Sequence, residues 1–308
     1  MDYISIDYIR SIDWQRRDVG MALELTTTLI THPLRYVNTL VQLGHEVTPT
    51  YLTTNFFKEE VLLHHCDIYY LIHICRKSGF FSLWRGVWPS LAERLIMTTT
   101  YRTMNDMSLI RFVDDSAGVF EEPHETVLLK KTTAKITAVI FSHPFTVVAI
   151  RCMAYFVGEE AEYATTTLCV GQIYKEGGLS GFFVGILPRL AFEIVTLWVT
   201  EMVTYYINNN VIMKIEELPA DSRVRRDAVL PIKYATPFVA TGVAGGFAYP
   251  FSVVTTVMIC NGAHMRAGGG LLFSCYSSPF TCLYDLNRKG VLYRKADFMF
   301  SRPAMPHD

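Results

Sequence analysis

The sequence has few charged residues and no excess of charge of either sign. Only 19% of its 308 residues are Asp, Glu, Lys or Arg, and 28 basic residues against 29 acidic ones leave a net charge of −1. Soluble domains usually carry about a quarter charged residues, so this chain, with a mean hydropathy of +0.22, is apolar for its size. Because it has no basic field to attract nucleic acid, we exclude that class of partner.

Signals for export and for disulfide bonding are also missing. The seven cysteines are an odd number and form no CxxC pair, which indicates free thiols in a reducing compartment. The N-terminus has no apolar core typical of a signal peptide, and Asp2, Asp7 and Asp13 are unusual in a transit peptide. We therefore expect any membrane insertion to use internal segments.

No pattern of residues indicates covalent catalysis or a bound cofactor. The chain has no Ser-His-Asp candidate, no paired catalytic acids, no phosphate-binding loop and no GxGxxG. His64, Cys66, His73 and Cys75 lie close together in sequence, but their spacing matches no known metal site. We expect a protein that is not an enzyme and that needs neither a cofactor nor a metal.

A proline motif, in contrast, occurs three times. The segments HPLRYV, HPFTVV and YPFSVV begin at His32, His143 and Tyr249, and each has Val four residues beyond its proline. A period of about a hundred residues predicts three homologous units. We predict one membrane domain, residues 1–308, with repeat one at about 15–112, repeat two at about 130–208 and a truncated repeat three at about 232–300.

The first two units each have two long apolar segments and the third has one, and each segment reaches the roughly 20 residues that a bilayer-spanning helix needs. A further span does not fit into the thirteen residues at 296–308, so we predict five transmembrane helices. Residues 64–79 predict a short amphipathic helix in a connection, and Gly242 and Gly246 form a GxxxG motif, which favours close helix packing in a bilayer. The five segments are residues 19–43, 86–110, 132–158, 185–207 and 234–262.

A glycine-rich turn precedes the second apolar segment of the first two units. GFFSLWRGVWP at residues 79–89 and GLSGFFVGILP at residues 178–188 share the spacing of their glycines and proline. Together with the threefold proline motif, this pattern resembles the mitochondrial solute carrier family over nearly the whole chain. The resemblance implies an all-α membrane protein with the carrier fold, in which helix pairs surround a central cavity.

The charged residues that carriers place after each proline are largely absent. Carriers have an acid two residues after the proline and basic residues five and often seven after it, and these charges pair to close one face of the pore. Only Arg151 remains at the seventh position, and the other positions hold Arg35, Thr146, Ser252, Asn38, Ala149 and Thr255. This degenerate pattern resembles the outer-membrane branch of the family, the mitochondrial carrier homologs.

The resemblance to that branch implies a multi-pass protein of the mitochondrial outer membrane. It implies an insertase for tail-anchored and other α-helical membrane proteins, whose partners are membrane lipids and these client proteins. It also implies two alternatives, a receptor or scaffold that docks the apoptotic protein Bid, and a lipid scramblase. A solute transporter is the weaker hypothesis, because the gate residues and the sixth helix are missing.

Polar residues recur at steps of three or four on the predicted helices and so share a face. Without a sixth helix, the carrier cavity would become a laterally open polar groove. Charges at membrane depth cost roughly 2.5–3.5 kcal/mol each, so several together indicate such a cavity. The alternative is that these polar side chains bond one another between packed helices, and that Arg189 and Glu193 form a salt bridge with each other alone. The predicted groove residues are Glu24, Thr28, His32, Arg35, Asn38, Glu93, Arg94, Arg151, Arg189, Glu193, Thr196 and Thr200.

Pro33, Pro144 and Pro250 each remove one hydrogen bond from their helix and predict a bend. Bends at matching depths would shape a basin around the groove. The alternative is that the bends are inherited carrier geometry without a present role.

Overall fold

Helices form most of the structure, a computed structural model that describes residues 3–47, 51–54, 60–64, 66–113, 124–216, 223–268, 276, 278–294 and 302–303. The long helices, of more than twenty residues each, are α1 (Tyr3–Gln42), α3 (Val87–Val113), α4 (His124–Gly158), α6 (Ile186–Ile207) and α8 (Arg223–Asn261). The shorter helices are α2 (Asp67–Ser78), α5 (Thr166–Gly177), α7 (Met213–Glu216) and α9 (Pro279–Arg288).

Three segments of the described chain are helical, long and apolar enough to cross a membrane. They are Glu125–Gly158 in α4, Ser180–Ile215 through α6 and α7, and Pro231–Asn261 in α8. α1 and α3 are long, but in their described residues neither combines this apolar character with so few charges, and α3 carries Glu93 and Arg94. Length and composition therefore support three of the five predicted crossings.

Two glycines determine where α3 and α6 begin. Gly86 and Gly185 have φ angles of +77° and +76°, which glycine adopts without a steric penalty. Each also lies against a neighbouring helix. A Cβ on Gly86 would come within 3.1 Å of the Ala149 carbonyl oxygen, and one on Gly185 within 3.2 Å of Ile259 Cγ1. The repeated turn thus redirects the chain and allows it to pack closely on α4 and α8.

α4 lies at the centre of the helix assembly. It contacts α1, α3, α6 and α8, and its most apolar stretch is 67% buried, against 17% for that of α6. The largest apolar core forms where α1, α4 and α8 have passed their prolines, and there Tyr36, Met153 and Ile259 are fully buried. This core holds the three proline-containing helices together at one end.

A small antiparallel sheet departs from the predicted all-α fold. β1 (Tyr51–Thr54) pairs with β2 (Glu60–His64), and β2 pairs with β3 (Arg302–Pro303). The segments YLTT and EVLLH do not alternate apolar and polar residues, and β3 has only two residues, so no strand pattern identifies them in the sequence. In the same connection α2 confirms the predicted short amphipathic helix, since it buries Tyr70 and Ile74 and exposes its other face.

The GxxxG motif of α8 faces open space. A Cβ added to Gly242 or Gly246 would meet no atom within 4 Å. The neighbouring Phe238 and Phe247 are 81% and 68% exposed. The close packing that this motif favours is therefore not made with any part of the chain that the structure describes, and this face of α8 is open.

Candidate functional site: an ion network between helices

Glu93 of α3 lies at the centre of a charged cluster between helices. One carboxylate oxygen accepts a hydrogen bond from Arg35 of α1 at 2.6 Å, and the other accepts one from Arg189 of α6 at 2.9 Å. The side chain of Glu93 is only 6% exposed. A buried carboxylate needs such partners, because an unpaired ion in a low-dielectric interior is strongly unfavourable. Glu93 therefore links α1, α3 and α6.

Glu193 extends this cluster to a fourth helix. Its carboxylate lies 3.1 Å from Arg189, one turn earlier in α6, and 3.0 Å from Lys135 of α4. The local pair considered from the sequence is thus present, but it is not private, because Arg189 also binds Glu93 and Glu193 also binds Lys135. We call Arg35, Glu93, Lys135, Arg189 and Glu193 the ion network. Its three cations and two acids sum to a formal charge of +1.

Two further groups of charges flank the ion network. Glu24 of α1 lies 2.9 Å from Arg102 and 3.4 Å from Arg94, both in α3. Lys131 of α4 lies 2.7 Å from Glu201 of α6. Like the ion network, these contacts join different helices. Charge pairing therefore runs along the facing sides of α1 and α3 and of α4 and α6.

The ion network combines pairing with partial exposure. Lys135, Arg189 and Glu193 lie in the two helical segments around α4 and α6 that are apolar enough to span a membrane. The side chains of Lys135 and Arg35 are nevertheless 25% and 32% exposed. Charges inside spanning segments face a bundle interior or a water-filled cavity, and they pair there. Partial exposure of paired charges is the arrangement expected at the wall of a polar cavity.

Two predicted threonines bond within their own helices. Thr28 donates to the carbonyl oxygen of Glu24 at 2.8 Å, and Thr196 donates to that of Phe192 at 2.7 Å. Such bonds satisfy the hydroxyl locally, so these side chains do not hold helices together. Two more predicted positions are half-buried, Asn38 and Thr200.

The structure places Arg151 away from the ion network. Arg151 is 1% exposed and binds Glu176 of α5 at 2.9 Å. Tyr163 donates to the other oxygen of the same carboxylate at 2.5 Å. These bonds fix α5 to the end of α4, on the side of the apolar core.

The residue before the proline ties its helix to the glycine turn in the first two units. His32 Nε2 lies 3.0 Å from the carbonyl oxygen of Arg85, and His143 Nε2 lies 3.0 Å from that of Val184. Each acceptor directly precedes a turn glycine. His32, one of the predicted groove residues, is fully buried in this contact.

In the third unit Tyr249, before its proline, also bonds a backbone carbonyl, that of Arg294, although Lys295 and not a turn glycine follows this residue. Pro33, Pro144 and Pro250 follow these three residues and lie within the continuous helices α1, α4 and α8. The predicted bends at the prolines stay a prediction. The shared contact assigns a structural role to the aromatic or imidazole ring before each proline.

α1 and α8 meet through uncharged side chains. Gln42 Nε2 donates to Ser252 Oγ at 3.2 Å, and Thr256 Oγ1 donates to Gln42 Oε1 at 2.8 Å. Ser252 stands at a position where carriers have an acid. Hydrogen bonds between neutral groups therefore join these two helices at the level where the carrier gate carries charge.

Metal-binding side chains do not gather in the part of the chain that the structure describes. There, no three His, Cys, Asp or Glu side chains lie close enough to hold a metal ion. The side chain of His64 is outside the described residues. The chemistry available at the ion network is charge pairing and hydrogen bonding.

Comparison with known proteins assigns the chain to a family. The sequence model for the mitochondrial carrier protein family matches residues 14–115 and 127–214, more than half of the chain. The chain belongs to the mitochondrial carrier family. The resemblance drawn from its proline and glycine motifs is confirmed.

Similar proteins within this family are mitochondrial carrier homologs. Homolog 1 of Mus musculus is 29% identical over 299 residues, which cover 92% of this chain and 76% of that protein. Homolog 2 of Mus musculus and homolog 2 of Homo sapiens are each 27% identical and cover 89% of this chain and 90% of their own. A probable mitochondrial 2-oxoglutarate/malate carrier protein of Dictyostelium discoideum is 27% identical over 120 residues, 38% of this chain and 37% of its own.

Several charged residues of the site were not in the predicted groove set. Lys131 and Lys135 lie one turn apart on α4 and bind Glu201 and Glu193 of α6. The sequence did offer a signal for these residues, because one apolar segment carries two cations and another carries two acids. Arg102 of α3, which binds an acid of α1, gave no comparable signal.

Proposed function

We propose that the protein is an insertase of the mitochondrial outer membrane for tail-anchored and other α-helical membrane proteins. It accepts a client's transmembrane segment in a polar groove and consumes no nucleotide. The ion network carries this proposal, because side chains from four helices bring five charges together on and beside segments that are otherwise apolar enough to span a membrane. A hydrated groove of this kind lowers the cost of moving polar parts of a client through the bilayer.

Exposed apolar side chains on α1 and α8 support access for a client helix. Val19, Leu23 and Ile30 of α1 are 68%, 67% and 70% exposed, and Phe238 and Phe247 of α8 are more than two-thirds exposed as well. The proposal takes α1, α3, α4, α6 and α8 as the five crossings. Beyond the contact at Gln42, it leaves the side between α8 and α1 open to lipid. A client's apolar segment would contact these side chains while its polar flank passes the ion network.

The neutral contact between α1 and α8 supports an insertase over a solute transporter. A carrier gate closes by forming ion pairs, whereas Gln42, Ser252 and Thr256 offer only uncharged hydrogen bonds. A receptor or scaffold, one of the alternatives, would need the ion network only as a structural element. A Bid-type partner or lipids would then be the ligands of other surfaces.

Reconstitution separates these functions. Purified protein in liposomes is supplied with a radiolabelled tail-anchored client, and insertion is measured as a protease-protected client fragment. Protein-free liposomes are the control. The proposal expects protection above that control. Client binding without protection would favour the receptor or scaffold, and solute uptake without client protection would favour the transporter.

A further inference from the structure

We propose that Cys152 and Cys169 form a reversible disulfide when the protein reacts with hydrogen peroxide. Cys152 lies in α4 and Cys169 in α5, and both are free thiols in this structure. They are 1% and 0% exposed and belong to the same buried core. The proposed insertion of client proteins uses neither thiol, so this modification site stands independently of it.

The two thiols lie beside each other where α4 contacts α5. Cys169 Sγ lies 3.8 Å from the carbonyl oxygen of Val148, and Cys152 follows Val148 by one helical turn on α4. The ion pair between Arg151 and Glu176 holds the same two helices together. The sulfur atoms are therefore kept close by contacts that do not depend on them.

A cavity gives a small oxidant access to this pair. Its volume is about 410 Å³, and its wall includes Cys152, Arg85 and the start of α5 at Thr165 and Thr166. A positive side chain and a helix N-terminus both favour an attacking sulfur anion. The neighbouring Cys152 side chain and burial raise the pKa of the Cys169 thiol, so Cys169 keeps its proton. Cys152 is therefore the sulfur that reacts first.

The disulfide forms in two steps. The Cys152 sulfur attacks one peroxide oxygen, an S–O bond forms, the O–O bond breaks, and the departing hydroxide takes up the thiol proton as water. The product is a sulfenic acid at Cys152. The Cys169 sulfur then attacks the Cys152 sulfur, an S–S bond forms, the S–O bond breaks, and hydroxide leaves with the Cys169 proton as a second water. Peroxide is reduced and the two thiols are oxidised.

Peptide mapping tests the pairing in the wild-type chain. The full-length protein is reconstituted in liposomes, treated with hydrogen peroxide, and alkylated before digestion. Cleavage after Arg151 and Lys175 releases both cysteines in one peptide. A second cleavage after Glu159, Glu160 or Glu162 then cuts this peptide between the two cysteines. We expect the halves to stay joined, with the loss of two alkylatable thiols, and to separate when a dithiol reductant is added.

Two variants complete the test. Cys169→Ala should abolish the joined peptides and leave Cys152 open to alkylation after reduction. Cys260→Ala, which removes another buried thiol of the same core, should leave the joined peptides unchanged. The proposal is overturned if Cys152 and Cys169 are alkylated separately in peroxide-treated, folded wild-type protein, or if Cys152 is joined to Cys260.

Discussion

Ion pairs join α1, α3, α4 and α6, whereas neutral hydrogen bonds join α1 and α8. In the first region, nitrogen and oxygen atoms of the ion network lie 2.6–3.1 Å apart. In the second, Gln42 binds Ser252 and Thr256. The carrier pattern puts charge at the level of the second region. This chain instead keeps its charges between the helices that would line a groove, so the two regions should respond differently to substitution.

The largest expected effect comes from removing the central acid of the ion network. Glu93→Gln leaves Arg35 and Arg189 without their shared carboxylate. We expect a loss of about 3 kcal/mol in the free energy of unfolding, the low end for a broken buried pair, because Glu193 still binds Arg189 and Arg35 is partly exposed. Thermal unfolding in detergent measures it. An unchanged midpoint would mean that the network contributes no stability.

Breaking the contact between α1 and α8 should lower the free energy of unfolding less than Glu93→Gln does. Gln42→Leu removes two neutral hydrogen bonds, and Thr256 keeps a bond to the carbonyl oxygen of Ser252 in its own helix. We expect a loss of about 1–2 kcal/mol in the same unfolding measurement. Thr28→Val, which removes only a bond within α1, is the matched control and should change little. A loss larger than that of Glu93→Gln would reverse the comparison.

A smaller effect is expected from a substitution that makes the groove less polar but leaves its charged residues unchanged. Thr196→Leu removes a hydroxyl that bonds only within α6 and replaces it with an apolar side chain. We expect client insertion to fall by less than about tenfold, a barrier change below about 1.4 kcal/mol, with an unchanged amount of folded protein. The control is Thr133→Leu, at an exposed threonine of α4. Equal effects of the two variants would argue against a groove at Thr196.

The smallest effect is expected at an ion pair in α9, outside the spanning segments. Asp285 binds Lys289 at 2.8 Å and Tyr276 at 2.5 Å, and these hydrogen bonds lower the pKa of its carboxyl group. Asp285→Asn should cost less than about 1 kcal/mol at neutral pH, as exposed pairs usually do. Because the pKa is lowered on folding, this stabilisation is present above the ordinary pKa of 3.8 and is lost as the pH falls below it.

The free energies of unfolding of the wild type and of Asp285→Asn, compared from neutral pH down to about pH 3, test the direction of this pH dependence. The two stabilities should converge in acid. A difference that grows as the pH falls would show that the carboxylate is not stabilised by its partners.

The fold could be predicted from short sequence motifs, whereas the site depends on contacts between residues that lie far apart in the sequence. The prolines and turn glycines could be read from the sequence because each acts within a few residues. The Arg189–Glu193 pair could be anticipated for the same reason, since it spans one turn of α6. The bonds from Glu93 to Arg35 and Arg189 cross 58 and 96 residues. They depend on how the helices pack, so the sequence could name their residues but not their partners.

Other misses have the same physical origin. The sheet pairs strands at residues 51–64 with one at residues 302–303, and the longer strands do not alternate apolar and polar residues. Lys135 could equally have reached toward an interface from its place in an apolar segment, and only the position of Glu193 on α6 decides its contact. Arg151 follows its proline as a carrier residue does, but its partner Glu176 lies on a separate short helix.

The central claim is that the charges of the ion network act on clients and do not only stabilise the helices. A charge exchange tests it. Glu193→Lys alone breaks the pairs with Lys135 and Arg189, and Glu193→Lys combined with Lys135→Glu restores the pair between α4 and α6 in the opposite orientation. Insertion of tail-anchored clients with acidic and basic flanks is measured at matched levels of folded protein. We predict that the exchange recovers only the part of the stability that the pair between positions 135 and 193 supplies, because the lysine introduced at position 193 then lies beside Arg189. It should still alter insertion rates or client preference, because the charge facing the client has changed. Wild-type insertion of every client by the exchanged protein would contradict it and leave the ion network a purely structural element.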